Sequence, residues 1–132
     1  FCKNFELLAE STKKRLVVEN DDSPNEYSVK DLFEGVYKKI GIPVTFDYFH
    51  HKFNTGGLTE EEALKLASTT WPEGITQCCH YSESRRKEKL DESIRPQAHS
   101  DIIYDSINTY GLNPDIVIEA KLKEQAIFNY GA

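Results

Sequence analysis

The chain has 132 residues, a formal charge of −6 and a sequence pI near 5.2. It is long enough to bury one core but short of the roughly 250 residues of a closed eight-stranded α/β barrel, and its acidity excludes a general basic surface for nucleic acid. No apolar run approaches the roughly 20 residues of a membrane span, and three cysteines, with Cys78 and Cys79 adjacent and Cys2 left over, suit a reducing, intracellular compartment better than a disulfide framework.

Residues 2–13 carry a helical pattern, with Phe5, Leu8 and Ala9 spaced for one face, and lead into a strand over 15–19. Ser28 with Asp31 resembles a capping box and opens a helix through Leu32, Val36 and Ile40 that Gly41 stops. Residues 42–46 form the next strand. Thr59 and Glu62 make a second capping box, for a helix over about 59–70 with Ala63, Leu66 and Ala67 facing inward. Pro72 and Gly74 end it before a strand over 75–79. A long irregular stretch over 81–98, rich in Ser, Glu, Arg and Lys, precedes a helix over about 99–110 ended by Gly111, a strand over 115–118 and a last helix over 121–129.

Strands and helices that alternate with short connections predict parallel βα units in one segment, 1–132, without linker or second domain. Each strand ends on a metal-type ligand: Leu16-Val17-Val18 runs into Glu19, Ile42 to Phe46 into Asp47, Ile75 to Cys79 into His80, and Ile116-Val117-Ile118 into Glu119. In a barrel of parallel strands those ends converge on one mouth, the face that carries chemistry. Ligand-type residues unrelated to function would be scattered over both ends of the strands. Four such strands would make half a barrel. With Phe1 first and no Met, a piece of a longer protein is one expectation.

The individual residues are open to other readings. Asp47 and His50 could reach one ion if the chain turns just past the strand, and carboxylate plus imidazole suits Mn, Zn or Fe(II); the alternative is a turn-capping Asp47 with surface histidines. His51, pointing elsewhere, is left to support a neighbouring ligand or touch substrate. Glu19 opens a polar cluster that could be a solvated cap. Glu119, between Ile118 and Ala120, should be largely buried and needs a cation or Lys121 as partner. Adjacent Cys78 and Cys79 fit poorly around one tetrahedral ion, so His80 is the ligand and the cysteines face alternate sides of the strand. His99 follows the long loop, as a ligand or as a helix-start residue.

Five strings in order carry a family resemblance: Leu16-Val17-Val18-Glu19-Asn20-Asp21-Asp22; Gly41-Ile42-Pro43-Val44 with Phe46-Asp47 and His50-His51; His80-Tyr81-Ser82; Ala98-His99-Ser100-Asp101; and Asp115 to Lys121 with Lys123-Glu124. Over about residues 14–128 the chain resembles the ultraviolet-damage endonuclease family. The resemblance implies the C-terminal half of an α/β TIM barrel of the xylose-isomerase-like kind, the last four βα units with the N-terminal half absent. It implies divalent ions, commonly manganese, with zinc or magnesium as alternatives, held by Glu19, Asp47, His50, His80, His99 and Glu119. Cys78 departs from the family, whose members place a lysine there.

The implied activity is metal-assisted hydrolysis of double-stranded DNA immediately 5′ of an ultraviolet photoproduct, with distorted nucleotides extruded from a bent duplex. Arg85, Arg86, Lys87 and Lys89 are candidates for phosphate contacts, or a solvated charge run broken by Glu83 and Glu88. The partner that completes the barrel would be the missing N-terminal half or a second copy of the chain. A metal-dependent sugar isomerase and a non-catalytic, self-associating half-barrel are the competing readings.

Overall fold

A computed structural model describes residues 1–130. It contains four strands, β1 (Val18–Glu19), β2 (Val44–Asp47), β3 (Cys78–Tyr81) and β4 (Asp115–Ile118), all parallel and in the order β1-β2-β3-β4. The register pairs Val18 with Val44, Glu19 with Thr45, Phe46 with Cys79, Asp47 with His80 and Tyr81 with Ile118.

Alternation along parallel strands sorts these pairs onto two faces. Val18, Val44, Phe46, Cys79, Tyr81, Ile116 and Ile118 lie on one face and pack with Val29, Leu32, Ala63, Leu64, Ala67 and Ile103 into the core. Each large apolar side chain fully buried there contributes about 1.5–3 kcal/mol. Glu19, Thr45, Asp47, Cys78, His80, Asp115 and Val117 lie on the other face. The cysteines divide as the sequence predicts: Cys79 is buried in the core and Cys78 is half-buried on the polar side.

Both predicted capping boxes form. Ser28 and Asp31 exchange bonds at the start of α3 (Val29–Leu32), which continues through a π-helical turn (Phe33–Tyr37) into α4 (Lys38–Ile40) and stops at Gly41, φ 73°. Thr59 and Glu62 do the same for α6 (Glu60–Ser68), whose buried face is Ala63, Leu64 and Ala67, with Leu66 only partly covered. Thr70, just beyond α6, accepts the Val44 amide at 2.8 Å, and the Trp71 indole donates to the Val44 carbonyl at 2.9 Å. The base of β2 is thereby fastened by side chains.

Five expectations need correction. Residues 2–13 form two short helices, α1 (Cys2–Phe5) and α2 (Glu10–Lys13), and only Phe5 of the expected apolar face is buried. β1, β2 and β3 begin later than the apolar runs suggest, whereas β4 forms over the expected 115–118; Glu19, Asp47 and His80 are strand residues and Glu119 alone lies just past its strand. An unexpected helix, α5 (Tyr48–Phe53), starts directly after β2, and α7 (Arg85–Lys89) forms inside the long loop. The final helix begins late, as α8 (Glu124–Asn129).

The fifth correction is the helix over 99–110, which does not form. A helix would send the Tyr104 amide to the Ser100 carbonyl. Instead the Glu83 carboxylate accepts the Tyr104 and Asp105 amides at 3.0 and 2.9 Å, and the Ser100 carbonyl accepts from the Lys121 amide at 2.9 Å. The segment is irregular and bent, with His99 bridged antiparallel to Ser84. Among the described residues, no helix is long and apolar enough to cross a membrane.

Candidate metal centre

The polar sheet face gathers the ligand-type residues by register. Glu19 neighbours Thr45 across β1 and β2, and Asp47 neighbours His80 across β2 and β3. Glu119 is held one residue past β4 by its amide, which donates to the Tyr81 carbonyl at 2.9 Å. His50 comes from the first turn of α5.

Asp47 occupies the hinge between strand and helix. Its Oδ1 accepts the Phe49 and His50 amides, both at 2.8 Å, capping α5 and turning His50 back toward the sheet. The capping reading of Asp47 and the ligand reading are therefore compatible, because Oδ2 is buried and has no hydrogen-bond partner. His50 Nδ1 lies 2.8 Å from the Asn20 carbonyl, 3.4 Å from Glu19 Oε1 and 3.8 Å from Asp47 Oδ2. His80 Nδ1 lies 3.2 Å from Glu19 Oε1, misaligned for a hydrogen bond, and 3.8 Å from Glu119 Oε1.

Two overlapping groups result, Glu19 with Asp47 and His50, and Asp47 with His80 and Glu119, with donor atoms of each within 4.8 Å of one another. Asp47 belongs to both. A buried, unpartnered carboxylate oxygen amid imidazole and carboxylate donors fits a divalent cation.

Burial pushes the Asp47 carboxyl up to about 7, and the neighbouring Glu19 charge adds to the effect. Burial also opposes the Glu19 charge, but His80 and the Asp47 carboxyl outweigh it and hold Glu19 below the usual carboxylate range. Burial works against the charged form of His50 too, and is outweighed by Asp47, the Asn20 carbonyl and Glu19, which raise it. Glu19 beside His80 raises that imidazole against the pull of burial. Without an ion the cluster holds extra protons, and a cation would displace them.

The remaining sequence candidates lie apart from these groups. His99 meets the Phe49 ring edge-on at 5.8 Å and is held neutral by burial; it belongs to neither ligand group. His51 is buried against Phe46, ring centroids 5.4 Å apart, facing the core. Cys78 shares the polar face, where burial pushes its thiol up. Arg85 and Lys89 both pair with Asp101, Arg86 binds the Ile94 carbonyl and Glu92, and Lys87, 81% exposed, is 3.8 Å from Asp105.

Two residues escaped the sequence reading. Asn20, 1% exposed, bonds the Asp47 main chain twice, and Glu83 holds the segment that carries His99. An amide immediately after a strand-terminal glutamate was the available signal for the first. A glutamate directly after the apolar and small residues of β3 and Ser82 was the signal for the second.

The family described as UV-endonuclease UvdE matches residues 1–131. A UV-damage endonuclease of Schizosaccharomyces pombe is 40% identical over 97% of this chain and 22% of its own length. A UV DNA damage endonuclease of Bacillus pumilus is 34% identical over 96% of this chain and 40% of its own length. The crystal structure of SacUVDE is similar with a TM-score of 0.76 at 31% identity, over 95% of this chain and 41% of that one. The chain thus spans 22% and 40% of the two curated relatives it matches here. The α/β fold is TIM-barrel-like, as the alternating strands and helices predict. With the match running through nearly every residue, the chain belongs to the UV-endonuclease UvdE family.

Proposed function

We propose that this chain is the last four βα units, the C-terminal half of a xylose-isomerase-like TIM barrel, of an intracellular, metal-dependent DNA repair endonuclease. The whole protein would nick double-stranded DNA immediately 5′ of ultraviolet photoproducts. The observation that carries this reading is the pair of ligand groups sharing Asp47, on the polar face of a parallel sheet, in a chain of the UV-endonuclease family.

Glu19, Asp47, His50, His80 and Glu119 would hold divalent ions, with His99 joining from its loop and further ligands coming from the preceding half. Mixed nitrogen and oxygen donors suit manganese or zinc, and the family resemblance favours manganese; magnesium prefers all-oxygen sets. When bound, such ions supply Lewis-acid activation of water and neutralise charge on the scissile phosphate. Asp47 caps α5 through one oxygen and keeps the other for an ion. The Asn20 carbonyl holds the Nδ1 proton of His50. Glu19, charged between two imidazoles, orients both. Among the four basic candidates, Lys87 is the most exposed and the best placed to touch a DNA phosphate.

The test is nicking of ultraviolet-irradiated plasmid by the full-length protein, with manganese, with chelator, and with Asp47→Ala. Metal-dependent nicks confined to irradiated DNA and lost in the variant support the reading. Cleavage that survives chelation, or that ignores irradiation, sinks it.

A further inference from the structure

Asn20 is almost completely buried, and every polar atom of its side chain is spent on one residue. Its Oδ1 accepts the Asp47 amide at 2.8 Å, and its Nδ2 donates to the Asp47 carbonyl at 3.0 Å. The last backbone pair between β1 and β2 is Glu19 with Thr45, so the amide extends that ladder past the point where the main chains stop pairing. Its own carbonyl then accepts from His50 Nδ1 at 2.8 Å. A carbonyl oxygen can only accept, so Nδ1 carries a proton, and in the neutral ring that an ion would bind, Nε2 keeps its lone pair.

One residue therefore touches the supports of three ligand-type side chains: Glu19 through the peptide bond, Asp47 through both its backbone groups, and His50 through its ring. We propose that Asn20 is a positioning residue that locks Glu19, Asp47 and His50 into one preformed unit and fixes the tautomer through which His50 meets an ion. The inference rests on the metal reading given above.

Side-chain chemistry explains why an amide stands here. An amide offers a donor and an acceptor at the spacing of a peptide group. Aspartate offers acceptors only and would leave the Asp47 carbonyl facing a buried charge; leucine offers neither group. Either change frees the end of β2 to shift by a fraction of an ångström, enough to open a ligand set. Groups that orient metal ligands from behind are worth 10–100-fold in affinity.

The experiment titrates manganese into the full-length protein and follows binding by electron paramagnetic resonance. It compares wild type, Asn20→Asp, Asn20→Leu, Asp47→Ala, and Tyr48→Phe as a purely structural control. Tyr48 is buried, and its hydroxyl binds the Asn108 carbonyl at 2.9 Å, away from the ligands. The Asn20 variants should lose about 10–100-fold in manganese affinity, whereas Tyr48→Phe should lower Tm and leave affinity unchanged. Wild-type affinity in a folded Asn20 variant, alongside a weakened Asp47→Ala, overturns the proposal and spares the metal reading. Wild-type affinity in Asp47→Ala removes both.

A second measurement needs no variant. Nitrogen NMR of histidine-labelled, zinc-loaded wild-type protein should find His50 protonated at Nδ1 and ligated through Nε2. The opposite tautomer overturns the proposal even if every Asn20 variant fails to fold.

Discussion

Asp47 and His80 stand directly opposite each other across the β2 and β3 ladder, and both leave a buried side-chain atom without a hydrogen-bond partner. Parallel pairing brings two residues 33 positions apart onto one face with atoms that the protein itself does not satisfy. Such atoms are costly to bury unless something else meets them, which is the physical case for a cation between them.

Replacing Asp47 by Asn or Ala should separate structure from chemistry. Asparagine retains a capping oxygen for the Phe49 and His50 amides, so Asp47→Asn should keep Tm within a few degrees. Asp47→Ala loses the cap as well and should cost about 1 kcal/mol or more in addition. Both should lower manganese-dependent nicking by the full-length protein by about 100-fold or more, since a ligand outweighs the groups behind it. Nicking that persists in either would remove Asp47 from the reaction.

The raised Asp47 carboxyl makes a pH prediction for the metal-free protein. Its value rises from an ordinary 3.8 in the unfolded chain to about 7 in the fold, so the folded state binds the extra proton. The resulting stabilisation is complete below about pH 4 and is lost as pH rises through 7. Relative to Asp47→Asn, wild type in chelator should lose on the order of a few kcal/mol of unfolding free energy across that window. Divalent metal should reverse the trend, because it binds the deprotonated carboxylate. Denaturant melts at several pH values measure both, and a flat difference in chelator would refute the assignment.

Glu83 tests the loop. Glu83→Ala frees the part-buried Tyr104 and Asp105 amides and removes a partner from the buried Tyr81 hydroxyl, whose loss costs about 1–3 kcal/mol. Limited proteolysis should then cut first within residues 99–105, and nicking should fall through displacement of His99. An unchanged cleavage pattern would mean that other contacts hold that segment.

The basic helix α7 should split by function. Lys87→Ala should reduce the salt dependence of DNA binding by about one charge and leave manganese affinity untouched. Arg85→Ala should instead loosen the Asp101 contact and lower Tm. Equal salt slopes for wild type and Lys87→Ala would take Lys87 off the DNA path.

The sequence made the strands legible because β2, β3 and β4 are apolar on one face and carry a ligand-type residue at or beside their C-terminal end; the two capping boxes were legible because Ser28 with Asp31 and Thr59 with Glu62 are local chemistry. The helix over 99–110 was misread for the opposite reason. Its amides are captured by Glu83, a residue more than 20 positions away, and no local pattern announces that. Asn20 was hidden likewise: its role depends on the backbone of a residue 27 positions on, and only a paired sheet reveals it.

The fastening of β2 at both ends has a mechanical consequence. Thr70 and Trp71 grip Val44 at the base and Asn20 grips Asp47 at the top, so this strand is held even where its ladders are short. His99 sits on irregular chain whose anchorage runs through Glu83, Ser84 and Phe49. The two sides of the centre are therefore held by different means: Asp47 and His50 by a strand gripped at both ends, and His99 by loop-to-loop bonds to Glu83, Ser84 and Arg85.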